Sequence, residues 1–379
     1  MKIVHTSDLH LGKRVHGFQM NADQEHILGS MLEIIREEQA DALVIAGDVY
    51  DRSVPPEEAV GMFGRFLNDV VDSGCQVFII AGNHDSGRRL DFCGDILGRS
   101  GVHICGEFTG RAEKVTLEDR FGELDVYMLP YVKPSIVREA CGCDVADEDS
   151  AVRYVLDSSN IDYSRRTLLI AHQFVIGGGR DLETSESEIS RPEVGGIDSV
   201  SASILDGFDY VALGHLHIPQ SVGRDTMRYS GSPLKYSASE ALRDKSVTVV
   251  EMRVKGSVDV RTVPLVPERD LRVISGTVDE LVRAGRESVP NDDYYVAKVT
   301  GPASDAASRL REVYPNLMAV TFEERRQRLH TGGIDVGAIP RRSVAEMFGE
   351  FYERMTGEKL TDYQAGIVES SADRGGDAE

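Results

Sequence analysis

The chain has 379 residues, 41% of them hydrophobic and 28% charged, with a formal net charge of −21. That length exceeds one typical domain and suits two, while no apolar run approaches the roughly 18–20 residues of a membrane span. The acidic surplus excludes a protein that simply coats DNA, because phosphate binding leaves a basic footprint; it leaves open an enzyme whose positive charge comes from metal ions.

Met1-Lys2-Ile3-Val4-His5 runs into a strand-like stretch, Lys2–Thr6, with no signal-peptide pattern, so a cytoplasmic location is the expectation. Asn21–Glu38 then reads as a helix, Ala42–Ala46 as a strand, Pro55–Asp72 as a helix with prolines in its first turn, and Gln76–Ala81 as a strand. This alternation predicts an α/β layered fold with helices outside. Later runs are richer in strands: Val102–Cys105, Lys114–Leu117, Leu124–Pro130, Thr167–Ala171, Tyr210–Leu213, Met227–Ser230, Ser246–Met252 and Val258–Leu265. So many strands are expected to split into two packed sheets. The five cysteines, Cys75, Cys93, Cys105, Cys141 and Cys143, are odd in number and scattered, which is no disulfide framework. The close pair Cys141-Gly-Cys143 lacks partners for a zinc site and reads as loop cysteines.

Pro264–Pro267 reads as a boundary. Beyond it come a strand (Leu271–Gly276), a helix (Val278–Ala284), a strand (Tyr294–Thr300), a helix (Ser304–Tyr314) and a strand (Leu317–Glu323), a small α+β unit. Residues 268–340 carry 10 Lys and Arg against 12 Asp and Glu, whereas residues 1–267 carry 27 against 42; the second region is the better place for a surface that touches phosphate. A link with Gly and Pro, Thr331–Pro340, leads to an amphipathic helix, Ser343–Thr356, and the small, charged tail Ser370–Glu379 is expected to be disordered.

Five clusters carry the chemistry: Asp8-Leu9-His10, Gly47-Asp48-Val49-Tyr50-Asp51, Gly82-Asn83-His84-Asp85, Ala171-His172 and Gly214-His215-Leu216-His217. Each falls at or just after the end of a predicted strand, and in α/β sheets those carboxyl ends form the functional edge. Carboxylate, amide and imidazole donors without thiolate suit hard or borderline divalent ions. Asp-x-His and His-x-His place both side chains on one side of an extended segment, and the two oxygens of Asp48 can bridge two ions. Two ions about 3.5–4 Å apart clamp a phosphate and lower the pKa of a water. The remaining histidines, His5, His16, His26, His103 and His330, read as structural hydrogen-bonders.

Ser7-Asp8-Leu9-His10-Leu11-Gly12 and the four clusters that follow it resemble the metallophosphoesterase superfamily. Tyr229-Ser230-Gly231-Ser232-Pro233-Leu234-Lys235-Tyr236-Ser237, followed by Lys245-Ser246-Val247, narrows the resemblance to the SbcD nuclease subunits of the meiotic-recombination nuclease family. The resemblance implies a four-layer α/β/β/α fold over residues 1–267, a small α+β capping domain that contacts DNA over 268–335, and a helical partner-binding extension over 336–368 before the tail 369–379. It implies two Mn2+ ions, with Mg2+, Fe2+ or Zn2+ as alternatives. One ion would be held by Asp8, His10 and His217, the other by Asn83, His172 and His215, with Asp48 between them. His84 would not be a ligand but would stabilise the transition state or help the leaving oxygen depart, which suits an imidazolium beside a scissile phosphate. Asp51 and Asp85 are either residues that orient these histidines or ordinary turn aspartates.

The remaining candidates are open in the same way. The Ser230–Ser237 segment is either a turn that touches phosphate, with Lys235 and Tyr236 facing DNA, or a purely structural turn. Arg309, Arg311, Arg325, Arg326 and Arg328 are either phosphate contacts or a solvated face. The stripe Val344, Met347, Phe348, Phe351, Tyr352 and Met355, with Leu360–Ile367 after it, either fits a partner groove or packs on its own domain. By resemblance the partner is an SbcC-like coiled-coil ATPase that gates the nuclease with ATP, and the protein is a homodimer acting on duplex ends, hairpins and single strands of DNA. The competing readings are a metallophosphoesterase of small phosphate esters or nucleotides, and a DNA-end scaffold without activity.

Overall fold

The computed structural model describes residues 1–177, 179, 182–188, 199–287, 292–301 and 305–323, together with 361 and 364. The first sheet begins at β1 (Lys2–Thr6), passes through α1 (Asn21–Glu38) to β2 (Ala42–Ala46) and through α2 (Glu57–Asp72) to β3 (Gln76–Ile80), and continues to β4 (Val102–Cys105). These four strands run parallel. A second sheet takes β5 (Glu113–Asp119), β6 (Gly122–Leu129), then, after α3 (Pro134–Cys141) and α4 (Glu148–Ser158), β7 (Arg166–His172), β8 (Tyr210–Gly214), β9 (Gln220–Val222) and β10 (Arg224–Tyr229). The chain returns to the first sheet with β11 (Lys245–Met252) and β12 (Val258–Leu265). The strand orders are β12-β11-β1-β2-β3-β4 and β9-β10-β8-β7-β6-β5.

The period-two pattern of the strands explains the layering. On β2, Ala42, Val44 and Ala46 face an inter-sheet core shared with Leu168 and Ile170 of β7 and Tyr210 and Ala212 of β8. Leu43 and Ile45 point the other way, onto Ile27, Met31 and Ile35 of α1 and Phe63 and Phe66 of α2. On β7 and β8, Leu169, Val211 and Leu213 pack outward with Val137 of α3 and Val152 and Val155 of α4. Both faces of both sheets are therefore buried, as near-continuous apolar strands require, and the fold is the expected α/β/β/α stack. Among the described residues no helix is long and apolar enough to cross a membrane.

The helices α3 and α4 have no counterpart among the sequence-based expectations. The signal for α4 lies in Asp147 and Ser150, which form a capping box; Pro134 opens α3. Cys141 is the last residue of α3 and not a loop residue, and Gly142 ends that helix in the left-handed region at φ 63°.

Past Leu265 the chain builds a three-stranded parallel sheet from β13 (Leu271–Gly276), α5 (Val278–Glu287), β14 (Tyr294–Thr300), α6 (Ala306–Arg311) and β15 (Leu317–Glu323). One face packs on α5 and α6 through Leu281, Val282, Val299 and Leu310. Leu271, Tyr294, Val296 and Met318 join the apolar cluster that contains α1 and α2. A buried clamp reinforces the junction: Arg269 donates Nε and Nη2 to the two oxygens of Asp23 at 2.8 and 2.7 Å, and the Tyr294 hydroxyl donates to the same carboxylate at 2.8 Å. A bidentate guanidinium–carboxylate pair fixes orientation as well as distance.

The chain divides into two units, Met1–Glu324 and Arg325–Glu379. The expected helix Ser343–Thr356, the link Thr331–Pro340, the segment Leu360–Ile367 apart from residues 361 and 364, the tail, His330 and the candidates Arg325, Arg326 and Arg328 lie outside the described residues.

Asp23→Ala leaves Arg269 and the Tyr294 hydroxyl without their acceptor. The expected cost is about 2–3 kcal/mol of stability, with faster amide hydrogen exchange concentrated in residues 268–323. Uniform exchange across the chain would show that the clamp does not anchor this sheet.

Candidate metal centre

The carboxyl ends of β1, β2 and β3 in one sheet and of β7 and β8 in the other meet at one edge of the stack. The loop after β1 is laid against the loop after β2 by Asp8 N–H to the Gly47 carbonyl and His10 N–H to the Asp48 carbonyl, both 3.0 Å. Four of the converging residues occupy the left-handed region: Asp8 (φ 53°), His10 (45°), Asp48 (49°) and His215 (101°). Such conformations cost on the order of 1–3 kcal/mol each and cluster at functional sites. Glycine is required where loops touch: a Cβ on Gly82 would collide with the Asp48 carboxylate, and one on Gly214 with the Ala46 carbonyl.

Two groups of donors result. Asp8, His10 and His217 offer ligand atoms within 4.8 Å of one another, with His10 Nε2 and His217 Nε2 3.1 Å apart. On the other side, Asn83 Oδ1 lies 3.0 Å from His172 Nε2 and 3.2 Å from His215 Nδ1. Asp48 Oδ2 stands between the groups, 3.4 Å from His172 Nε2 and 3.8 Å from His10 Nε2, while Oδ1 accepts the His84 backbone N–H at 2.9 Å. Asp8, His10, Asp48, His172 and His217 are buried, whereas Asn83, His84 and His215 are half-buried and form the rim.

The hydrogen bonds behind the histidines show whether these donors fit cations. His172 Nδ1 meets the Ala46 carbonyl at 2.8 Å; a carbonyl only accepts, so Nδ1 carries the proton and Nε2 of the neutral ring presents a lone pair. His217 Nδ1 meets Ser187 Oγ at 2.8 Å, and that hydroxyl donates onward to Glu240 at 2.9 Å, so His217 Nε2 also presents a lone pair. His10 Nδ1 is buried without a hydrogen-bond partner. Lone pairs of imidazole, amide and carboxylate thus face one another across a few ångströms, an arrangement satisfied by a cation or by added protons. Burial alone would push the His172 ring down, but the charge and hydrogen bond of Asp48 lift it to about 9. The carboxyl of Asp48, pushed up by burial, is held well below its usual range by His172 and His10. Burial pushes His10 well down, and His215 to about 3 with the help of His172. Burial raises Asp8. The donor set fits a pair of divalent ions.

His84 Nδ1 lies 2.9 Å from the Asp51 carbonyl, to which it donates, leaving Nε2 unspent. One of its ring nitrogens is also within ligand range of His10 and Asp48. Asp51 thus orients His84 through its backbone, while its side chain pairs with Lys13 at 2.7 Å and stands 3.7 Å from His10 Nδ1. Among the described residues Asp85 hydrogen-bonds no histidine. It accepts backbone N–H groups from Gly82, Val49 and Tyr50 at 2.9–3.1 Å, so it splices the loop of Asp48 to that of Asn83 and His84; burial, with Asp48 nearby, pushes its carboxyl up to about 6.

Tyr236 lies inside the protein and not on its surface. It is 4% exposed, its hydroxyl donates to the Leu9 carbonyl and accepts from Gln24, and its ring stands edge-on to His10. The turn at Gly231 (φ 77°) lays the segment against the loops of His10 and His217, with Ser232 N–H bonded to the His217 carbonyl at 3.1 Å. Lys235, 11% exposed on its side chain, pairs with Asp270 at 2.7 Å and donates to the Ala241 carbonyl, which ties this turn to the small sheet. Arg309 pairs with Asp279 at 2.5 Å, and Arg311 is exposed. His5 is the expected structural histidine, bonded to the Tyr210 hydroxyl at 3.0 Å.

Sequence reasoning missed the support of His217. Glu188 accepts its backbone N–H, and Lys245 donates to its carbonyl at 2.8 Å and to Glu240 at 2.6 Å. Burial pushes the Glu240 carboxyl up, but Lys245 and His217 hold it well below the usual range. Lys245 stands in a motif that the sequence singles out, but nothing in its spacing pairs it with Glu240.

Residues 1–219 match the calcineurin-like phosphoesterase family model, and the chain belongs to that family, whose activity is metal-dependent phosphoester hydrolysis. Residues 267–356 match a second model, SbcD_C, described as the type 5 capsule protein repressor C-terminal domain. Solved structures with partial likeness include TT1561 of Thermus thermophilus (9% identity, 69% of this chain and 98% of that one, TM-score 0.39). A dimetal phosphatase from Danio rerio gives 9% identity, coverages of 70% and 96%, and a TM-score of 0.40. The AHE enzyme from Alicyclobacillus herbarius gives 11%, 84% and 83%, and 0.22.

Glu240→Gln removes the carboxylate that orders Ser187 and neutralises Lys245. Manganese affinity is expected to fall 10- to 100-fold, with a loss of about 3 kcal/mol in stability because Lys245 stays buried and unpaired. Calorimetric titration and denaturant unfolding measure the two; wild-type metal affinity would remove Glu240 from the centre's support.

Proposed function

We propose that the protein is an SbcD-like nuclease subunit that hydrolyses phosphodiester bonds of DNA. What carries this reading is the order of the two family matches along one chain, a phosphoesterase domain that brings the donor cluster together followed by an SbcD_C domain. Asp8, His10 and His217 hold one ion, Asn83, His172 and His215 the other, and Asp48 both. Manganese is the proposed metal. When bound, such ions supply Lewis acidity toward phosphate and a water of lowered pKa.

The chain's own residues do the rest. Asp48 stays ionised between the donor groups. The rim of Asn83, His84 and His215 is where substrate meets the centre. His84, anchored through Nδ1 on Asp51, offers Nε2 to the phosphate or the leaving oxygen, where a proton or hydrogen bond counts most. Residues 268–335 serve as the capping unit that touches DNA, with Arg309, Arg311, Arg325, Arg326 and Arg328 as contacts. Residues 336–368 bind an SbcC-like ATPase that gates the site with ATP, and the tail is 369–379. The complex is a cytoplasmic homodimer with duplex exonuclease and single-strand endonuclease activity.

Linear duplex DNA and a nucleotide monoester, each assayed with Mn2+, separate this reading from a small-ester phosphatase: preference for the monoester would overturn it. His84→Ala is expected to lower the rate 10²- to 10⁴-fold while keeping two metal ions per chain. Loss of a metal would make His84 a ligand, and a normal rate would end its proposed role. Asp48→Ala should abolish both metal pairing and strand scission.

A further inference from the structure

Away from the metal centre, a cavity of about 550 Å3 lies between the phosphoesterase body and the three-stranded sheet, within the size range of small-molecule sites. In a chain of net charge −21, four cations line it, Arg228, Lys235, Lys245 and Arg269, against two carboxylates, Asp244 and Asp270. Three of the cations are matched: Lys235 by Asp270 at 2.7 Å, Lys245 by Glu240 at 2.6 Å and Arg269 by Asp23 at 2.7 Å. Arg228 is not. Its Nε is buried with no hydrogen-bond partner, and among the described residues its guanidinium forms no ion pair.

A buried donor left without an acceptor costs about 1–3 kcal/mol, more when charged, and native structures rarely leave one unexplained. The guanidinium fork matches carboxylate and phosphate oxygens in pairs. Ser246 and Thr262 line the same cavity, and Pro264, Leu265, Pro267 and Leu271 supply an apolar wall. We propose that this cavity binds an organic anion, with a carboxylate or phosphate head on Arg228 and an apolar body against the proline-bounded wall. The site is separate from the metal centre and independent of which phosphoester the enzyme cuts.

Calorimetric titration of the manganese-loaded full chain tests this with three probes: octanoate, hexylphosphonate and inorganic phosphate. At least one of the two amphiphiles is expected to bind once per chain, tenfold or more tighter than phosphate, and which one binds identifies the head. Arg228→Gln should weaken that probe at least tenfold. Val266→Trp, at a lining position 72% exposed, should block it without disturbing the fold, and covers the case in which the arginine variant does not fold. Binding of neither amphiphile, binding no tighter than that of phosphate, or affinity unchanged in the folded variants would overturn the proposal.

Discussion

A carboxylate buried between two sheets governs this molecule. Asp48 is 2% exposed, and an ionised carboxylate in such a place is tolerated only when its charge is met. Around it stand the rings of His10 and His172 and the backbone N–H of His84. Each comes from a different strand end, so the carboxylate is satisfied only when both sheets are assembled in register. The same convergence that meets its charge leaves several lone pairs facing one another, which is what selects for divalent cations.

The backbone is bent to suit this. Asp8, His10, Asp48 and His215 hold left-handed conformations that unaided chains avoid. They persist because the strands before them are fixed by apolar burial on both faces, and because Asp85 gathers N–H groups from two loops at once. Hydrogen bonds are therefore concentrated beneath the donor cluster, and Asn83, His84 and His215 form its half-buried rim.

Support also reaches outward. His217 is tied through Ser187 to Glu240 and from there to Lys245, and Lys245 lines the cavity beside the small sheet. Tyr236, under His10, and Lys235, paired with Asp270, are neighbours in sequence. One short turn thus backs the donor cluster and ties it to the three-stranded sheet.

The sequence by itself determined the layered α/β class, since alternation and apolar strands are local properties, and it determined the donor types, since Asp-x-His, Gly-Asn-His and His-x-His at strand ends restrict the chemistry before any folding is known. It also placed most strands to within a few residues. It missed α3 and α4, whose apolar stripes are short and whose signals lie in caps. Only the tertiary structure decided that Tyr236 is buried, that Lys235 pairs with Asp270, that Asp51 offers its carbonyl to His84 and its carboxylate to Lys13 and His10, and that Lys245 meets Glu240. Side-chain direction and pairing depend on which distant segments share a volume, and no spacing along the chain encodes that.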